Sequence, residues 1–459
     1  MFDCPQNLRE EEMFEVPEWA ANKVVYQIFP SRFAATEPVD KELWYKAPIT
    51  PMDDLHGNLR GIIEHMDDIQ NLGIDVLYMT PIFQSNSCHK YDTTDYYQID
   101  PSFGTTEDLK ELVQKAHERG MKVVLDAVYN HTGREFFAFA DILENGEKSK
   151  YRDWYFIDGF PLKSEWGEIP NFKCFGYYGG MPKLNLKNPE VEKYITDVAC
   201  YWIKECDIDG WRLDVGDEIS HFFWKNFRKA VKAVKKDMLI IGEIWHYAGD
   251  FLEGDEWDTV MNYPFYLNLI DLLADEKITV SQFVQNLGYL KGRLHKNCYP
   301  LMWNLIDSHD TARFLHLCND NKKKQHLAAA FQLLLPGMPM IYYGDEYAMP
   351  GANDPDCRRG MYWDEEYQDK EMYEWYKRLI QVRKSHACIV EGELAGSVTE
   401  DEEGTIVLIR KNGEETIAMI FNCSSSAKKF NEYTQKYNLL TENTFDGNVE
   451  GFDAAVIVL

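Results

Sequence analysis

Short runs of β-branched and aromatic residues alternate with longer windows in which apolar residues recur every three or four positions. The short runs are "KVVYQIF" (23–29), "IDVLYMT" (74–80), "MKVVLDAV" (121–128), "IDGWRLD" (208–214), "MLIIGEI" (238–244), "DTVMNYP" (258–264), "LMWNLID" (301–307) and "PMIYYGD" (339–345). They are too short and too uniformly apolar for surface helices, and they read as strands buried on both faces. The windows between them carry helix punctuation. "NLRGIIEHMDDIQNLG" (58–73) stops at a glycine, "TTEDLKELVQKAHERG" (105–120) opens on a threonine cap and acids, and "NPEVEKYITDVACYWIKEC" (188–206) enters through Asn-Pro. Eight strand–helix units in series predict a closed parallel (β/α)8 barrel, of class α/β, over residues 23–388.

Two stretches break the rhythm. Residues 129–187, rich in Gly, Tyr, Phe and Trp, are too long for a plain loop and predict a subdomain inserted after strand three. Beyond the helical window 365–386, short alternating runs such as "TIVLIRK" (405–411) and "ETIAMIFN" (415–422) predict a small antiparallel β domain over 389–459. Residues 1–22 form an N-terminal extension. The "KNFRKAVKAVKK" run (225–236) reads as a solvated helix face.

At 459 residues the chain suits a large barrel with a smaller module. A formal charge of −28 repels phosphate backbones and anionic bilayers and argues against nucleic-acid and membrane partners. The ten cysteines show no Cys-x-x-Cys pair or zinc-ligand spacing. With no signal-like start and no apolar run of ~18 residues, a cytoplasmic enzyme is expected.

Barrel enzymes carry their chemistry at the carboxyl ends of the strands. There the chain places Asp126 near the end of strand three, Arg212 and Asp214 at strand four, Glu243 at strand five, and His309 and Asp310 after strand seven. In a strand, i and i+2 share a face, so Arg212 and Asp214 emerge together. Arg212 beside Asp214 favours the anion, and Glu243, with no basic residue at i±2, is the better candidate to hold a proton. Neighbouring strands lie ~4.8 Å apart, close to the ~5–5.5 Å between the two carboxyls of a retaining glycosidase.

"DAVYNH", "GWRLDV", "GEIW" and "SHD" resemble, in order, the four signature segments of the α-amylase family of glycoside hydrolases. "MPKLN" (181–185), "HKYDTTDY" (89–96) and "NDPDCRR" (353–359) resemble its neopullulanase, cyclomaltodextrinase and maltogenic amylase group. The resemblance implies cleavage of α-1,4-linked glucans such as maltooligosaccharides, cyclodextrins and pullulan, with retention of configuration. It implies Asp214 as nucleophile, Glu243 as acid and base, and Asp310 as the carboxylate that binds the sugar 2- and 3-hydroxyls. His131, His309 and Arg212 would hold the same unit and the nucleophile, with Tyr91 stacked beneath. Asp126 would be a supporting carboxylate, Asp354 and Arg358 would meet the next sugar outward, and Trp245 would line the leaving-group side.

The group usually carries an N-terminal β-sandwich, whereas here strand one begins near Lys23, so the group's domain-exchanged dimer is not expected and no oligomeric state is assigned. No cofactor is required on this reading and no metal ligand is assigned. The calcium site the group often has after strand one is disfavoured, because that loop reads "SRFAATEPVD" and Asn58 stands where the group commonly has Asp. Asn130 alone resembles a calcium ligand of other amylases. Two alternatives remain open at this point: transglycosylation or isomerisation of α-glucosides through the same intermediate, and a catalytically silent sugar-binding protein.

Overall fold

The computed structural model describes residues 15–163, 167 and 169–459; part of the N-terminal extension, with Cys4, and four positions of the inserted segment lie outside the described residues. Eight parallel strands form the centre: β1 (Val25–Ile28), β2 (Val76–Met79), β3 (Lys122–Ala127), β4 (Gly210–Leu213), β5 (Leu239–Gly242), β6 (Thr259–Val260), β7 (Trp303–Asn304) and β8 (Met338–Tyr342). Their order is β6-β5-β4-β3-β2-β1-β8-β7. A parallel bridge from Met261 to Trp303 closes β6 onto β7, so the sheet is a barrel. Every residue of β1, β2, β4, β5 and β8 is buried, as double-sided coverage by barrel interior and helices requires.

Helices stand where the punctuation places them. Asn188 caps Pro189–Cys206 by accepting from the Glu190 N–H, and Thr105 and Asp108 form a reciprocal capping box on Thr106–Glu118. Three expectations change in detail. The window 58–73 is two helices, Leu59–Glu64 and Met66–Leu72, divided at His65, whose ring stacks on Trp363 at 3.6 Å. The sixth and seventh strands are only two residues long. In "DTVMNYP" the Asn262 side chain accepts from the Phe265 N–H and opens helix Tyr263–Leu269, so extended backbone ends before it. The basic run 225–236 is not merely solvated: Arg228 Nη1 and Lys232 Nζ reach inward to the two oxygens of buried Asp258 at 2.7 and 2.9 Å.

The inserted segment folds against the barrel top through short bridges, among them His131–Lys183 and Tyr155–Leu184. The C-terminal region is an antiparallel sheet led by β9 (Glu393–Glu400), β10 (Thr405–Asn412), β11 (Glu415–Asn422) and β12 (Asp453–Val458), with two short strands beyond β12. Phe421 on β11 stacks at 4.3 Å on Phe331 of helix Lys322–Leu334, which ties this sheet to the barrel. All nine cysteines among the described residues are free thiols. Among the described residues no helix is long and apolar enough to cross a membrane.

Candidate active site

The carboxyl ends of the strands surround a cavity of about 460 Å³, lined by Tyr91, His131, Asp214, Glu243, Trp245, Asp310, Asp354 and Arg358 together with His89, Phe175, Met181, Val215 and Asp217. At its floor lies Arg212, whose side chain is wholly buried. Its Nη1 sits 2.9 Å from Asp214 Oδ1 and 3.1 Å from both oxygens of Asp126. Its Nη2 lies 2.8 Å from Glu243 Oε1, a charge contact outside good hydrogen-bond angles. One guanidinium therefore serves three carboxylates on three adjacent strands. The expected Arg212–Asp214 contact is present, and the guanidinium fork also reaches across to Glu243 after β5.

Burial pushes the Asp214 carboxyl well above the usual range. Arg212 pulls the other way, while the negative charges of Glu243, Asp126 and Asp310 add to the rise. Asp126 is pushed up to about 6, again by burial first and against Arg212. Arg212 favours the Asp214 anion, as its adjacency implies, but acts against burial and the neighbouring carboxylates.

Glu243 is held from three sides. The Val215 N–H donates to Oε2 at 2.9 Å and the Trp245 indole N–H donates to Oε1 at 3.3 Å, besides the Arg212 contact. Val215 reaches it from a left-handed backbone (φ 46), a strained position for a β-branched residue of the kind that clusters at functional sites. The Trp245 ring stacks on Tyr263 at 4.1 Å and is 43% exposed, so one indole face is supported by protein and the ring opens on the cavity.

On the opposite wall, Gln27 Nε2 donates to His309 Nδ1 at 2.7 Å. That leaves the His309 Nε2–H to face Tyr91 Oη at 2.5 Å and Asp310 Oδ2 at 3.1 Å. Tyr91 donates to Asp126 Oδ2 at 3.1 Å, and Tyr78 does so at 2.7 Å. Burial lowers His309 well below its ordinary range and His131 to about 4, so both rings are neutral at pH 7. His131 stacks on Phe175 of the inserted segment at 5.1 Å. Arg358 spans Asp310 Oδ1 at 3.3 Å and Asp354 Oδ1 at 2.8 Å, and its Nε donates to the His309 carbonyl at 2.7 Å.

The eleven residues singled out from the sequence thus fall around one cavity and the buried floor beneath it. Sequence reasoning missed Gln27, Tyr78, His89, Phe175, Met181, Val215, Asp217 and Tyr263. Gln27 and Tyr78 sit inside strands and look like core; a buried glutamine in an apolar strand was the available signal. Of the residues weighed for calcium, Asn58 accepts from the Gly61 N–H as a helix cap, and Asn130 donates to Glu218 at 3.3 Å.

The alpha amylase catalytic-domain signature matches residues 27–392, most of the chain. The chain belongs to that family of glycoside hydrolases. Over 428 residues it is 46% identical to a cyclomaltodextrinase of Geobacillus thermopakistaniensis, covering 92% of this chain and 72% of the relative. It is 42% identical to neopullulanase 2 of Thermoactinomyces vulgaris over 90% of this chain and 72% of that protein. Among solved structures, a cyclomaltodextrinase superposes with a TM-score of 0.92 at 39% identity, over 97% of this chain and 79% of the other. A cyclic α-maltosyl-(1→6)-maltose hydrolase from Arthrobacter globiformis gives 0.88 at 35%, over 97% of this chain and the whole of the other. The chain is an α-glucan glycoside hydrolase.

Proposed function

We propose that the protein hydrolyses α-1,4-glucosidic bonds in short linear and cyclic maltodextrins, with retention of configuration, through an ester on Asp214. One observation carries this reading: Asp214 and Glu243, from neighbouring strands, open on one cavity and meet the two Nη atoms of one guanidinium. Both carboxyls meet one guanidinium from strands ~4.8 Å apart, which favours the ~5–5.5 Å separation of a retaining pair.

In the first step an Asp214 oxygen attacks the anomeric carbon while the bond to the glycosidic oxygen breaks, and Glu243 gives its proton to that leaving oxygen. Positive charge grows at the anomeric carbon, which favours the Asp214 anion over its protonated form when the cavity is filled. In the second step Glu243 takes a proton from water, the resulting hydroxide adds to the anomeric carbon, and the Asp214 ester bond breaks. Asp310, held by His309 and Arg358 and 29% exposed at its side chain, is placed to accept from sugar hydroxyls. The neutral His131 and His309 rings bind hydroxyls without adding charge against the oxocarbenium-like centre. Tyr91 offers its ring from below, Asp354 with Arg358 extends the site outward, and Trp245 gives a stacking face beside Glu243.

The relatives are named as hydrolases of α-glucans, and the three carboxylates stand together in one cavity; both favour a working hydrolase over the silent or isomerising alternatives. Chromatography of products from maltotriose, β-cyclodextrin, pullulan and starch tests the reading. Maltose and glucose from the first two are expected. Disproportionation of maltotriose that outruns hydrolysis at low substrate would overturn it.

A further inference from the structure

The loop that carries Trp245 continues for two residues to Tyr247, whose ring is covered at 3.9 Å by the guanidinium of Arg293. The same guanidinium lies 5.1 Å from the ring of Tyr289, and its Nη1 donates to the Tyr289 hydroxyl at 3.1 Å. The Tyr247 hydroxyl donates to the Arg293 carbonyl at 2.9 Å, so the loop after β5 is fastened to the end of helix Val280–Gly292. Tyr289 is 67% exposed, so its ring is open to solvent and to a ligand. Two residues span at most ~7 Å, so this aromatic and cationic ledge is tethered close along the chain to Trp245, which lines the cavity. That is the side on which Glu243 stands, and a proton donor faces the leaving sugar.

We propose that Tyr247, Arg293 and Tyr289 form a distal binding platform for the leaving-group end of a longer α-glucan, one or two glucosyl units beyond the ring on Trp245. The proposal rests on the hydrolase reading above. A pyranose presents an apolar face of C–H groups to an exposed phenol ring and hydroxyls at its rim. A guanidinium held between two rings is pre-oriented to donate to those hydroxyls at little entropic cost. Maltotriose is too short to occupy the cavity on both sides of the scissile bond and reach the platform; maltohexaose is long enough.

The test compares maltohexaose with maltotriose, by titration calorimetry in the non-turning Asp214→Asn background and by kcat/KM in the active enzyme. With Tyr289→Ala, and separately Arg293→Ala, the Kd for maltohexaose rises about five- to tenfold more than that for maltotriose, the size of one stacked ring. The ratio of kcat/KM values falls to match. An unchanged ratio overturns the platform, and so does a proportional loss on both sugars with a lowered melting temperature, which would make the stack a structural fastener. A parent enzyme that cleaves neither sugar would count against the hydrolase reading, and the binding ratio would still decide the platform.

Discussion

Replacing Arg212 with methionine removes the cation that touches Asp126, Asp214 and Glu243 while keeping most of the side-chain volume. At a contact of ~3 Å and an effective dielectric of ~20, each pair has a gross attraction of about 5–6 kcal/mol, most of it offset by desolvation. Removing one partner of a buried pair costs about 3–5 kcal/mol, since the remaining charges lose their counter-charge. The carboxyls respond by holding protons more tightly. Asp214, already pushed up by burial, rises further, and the acidic limb of the kcat/KM profile moves to higher pH by about two units or more. Turnover of maltotriose at pH 6 then falls by about a hundredfold or more, a factor of about ten for each unit. The stability loss is itself pH-dependent: small at pH 5, where the carboxyls take up protons, and largest near pH 8, where they resist ionising without Arg212. Urea unfolding at the two pH values, beside the pH–rate profile, makes the check. A loss of stability equal at both pH values, with the acidic limb unmoved, would show that Arg212 only fills space and would refute the electrostatic account.

Glu243→Gln leaves hydrolysis of maltotriose reduced by about a thousandfold or more, whereas α-maltosyl fluoride, whose leaving group needs no proton, is still consumed in the first step; equal losses on both substrates would contradict the role. Glu346 is fully buried, accepts from Tyr26 at 2.6 Å and from the Gly344 N–H at 2.9 Å, and is pushed up to about 7 by burial. Its folded value lies above its unfolded one, so the stability it contributes is complete below about pH 4.5 and is lost as pH rises through 7. Glu346→Gln therefore gains on the parent by about 3 kcal/mol between pH 4.5 and 8 in denaturant unfolding, and parallel curves for the two proteins would contradict this.

The barrel was legible because its strands are short apolar runs separated by well-punctuated helices, and because the carboxylates of the site interrupt or follow those runs at the ends where barrel chemistry sits. Strand length was less legible. "DTVMNYP" reads as seven extended residues until Asn262 is seen capping the next helix. The sharing of Arg212 was not legible at all, since spacing along one strand says nothing of a fork that reaches the strand beside it. Gln27 and Tyr78 were hidden for a different reason: both lie within buried strands, and only three-dimensional neighbours show that they orient His309 and Asp126. Phe175 and Met181 come from the inserted segment, whose irregular backbone has no period from which to infer a facing direction.

The most direct measurement of the central claim is mass spectrometry of the Glu243→Gln variant after brief incubation with α-maltosyl fluoride. Attack by Asp214 without an efficient base for the second step leaves the peptide containing Gly210–Asp214 heavier by one maltosyl unit. Consumption of the fluoride with no adduct on any peptide, or an adduct on a residue other than Asp214, would contradict the account.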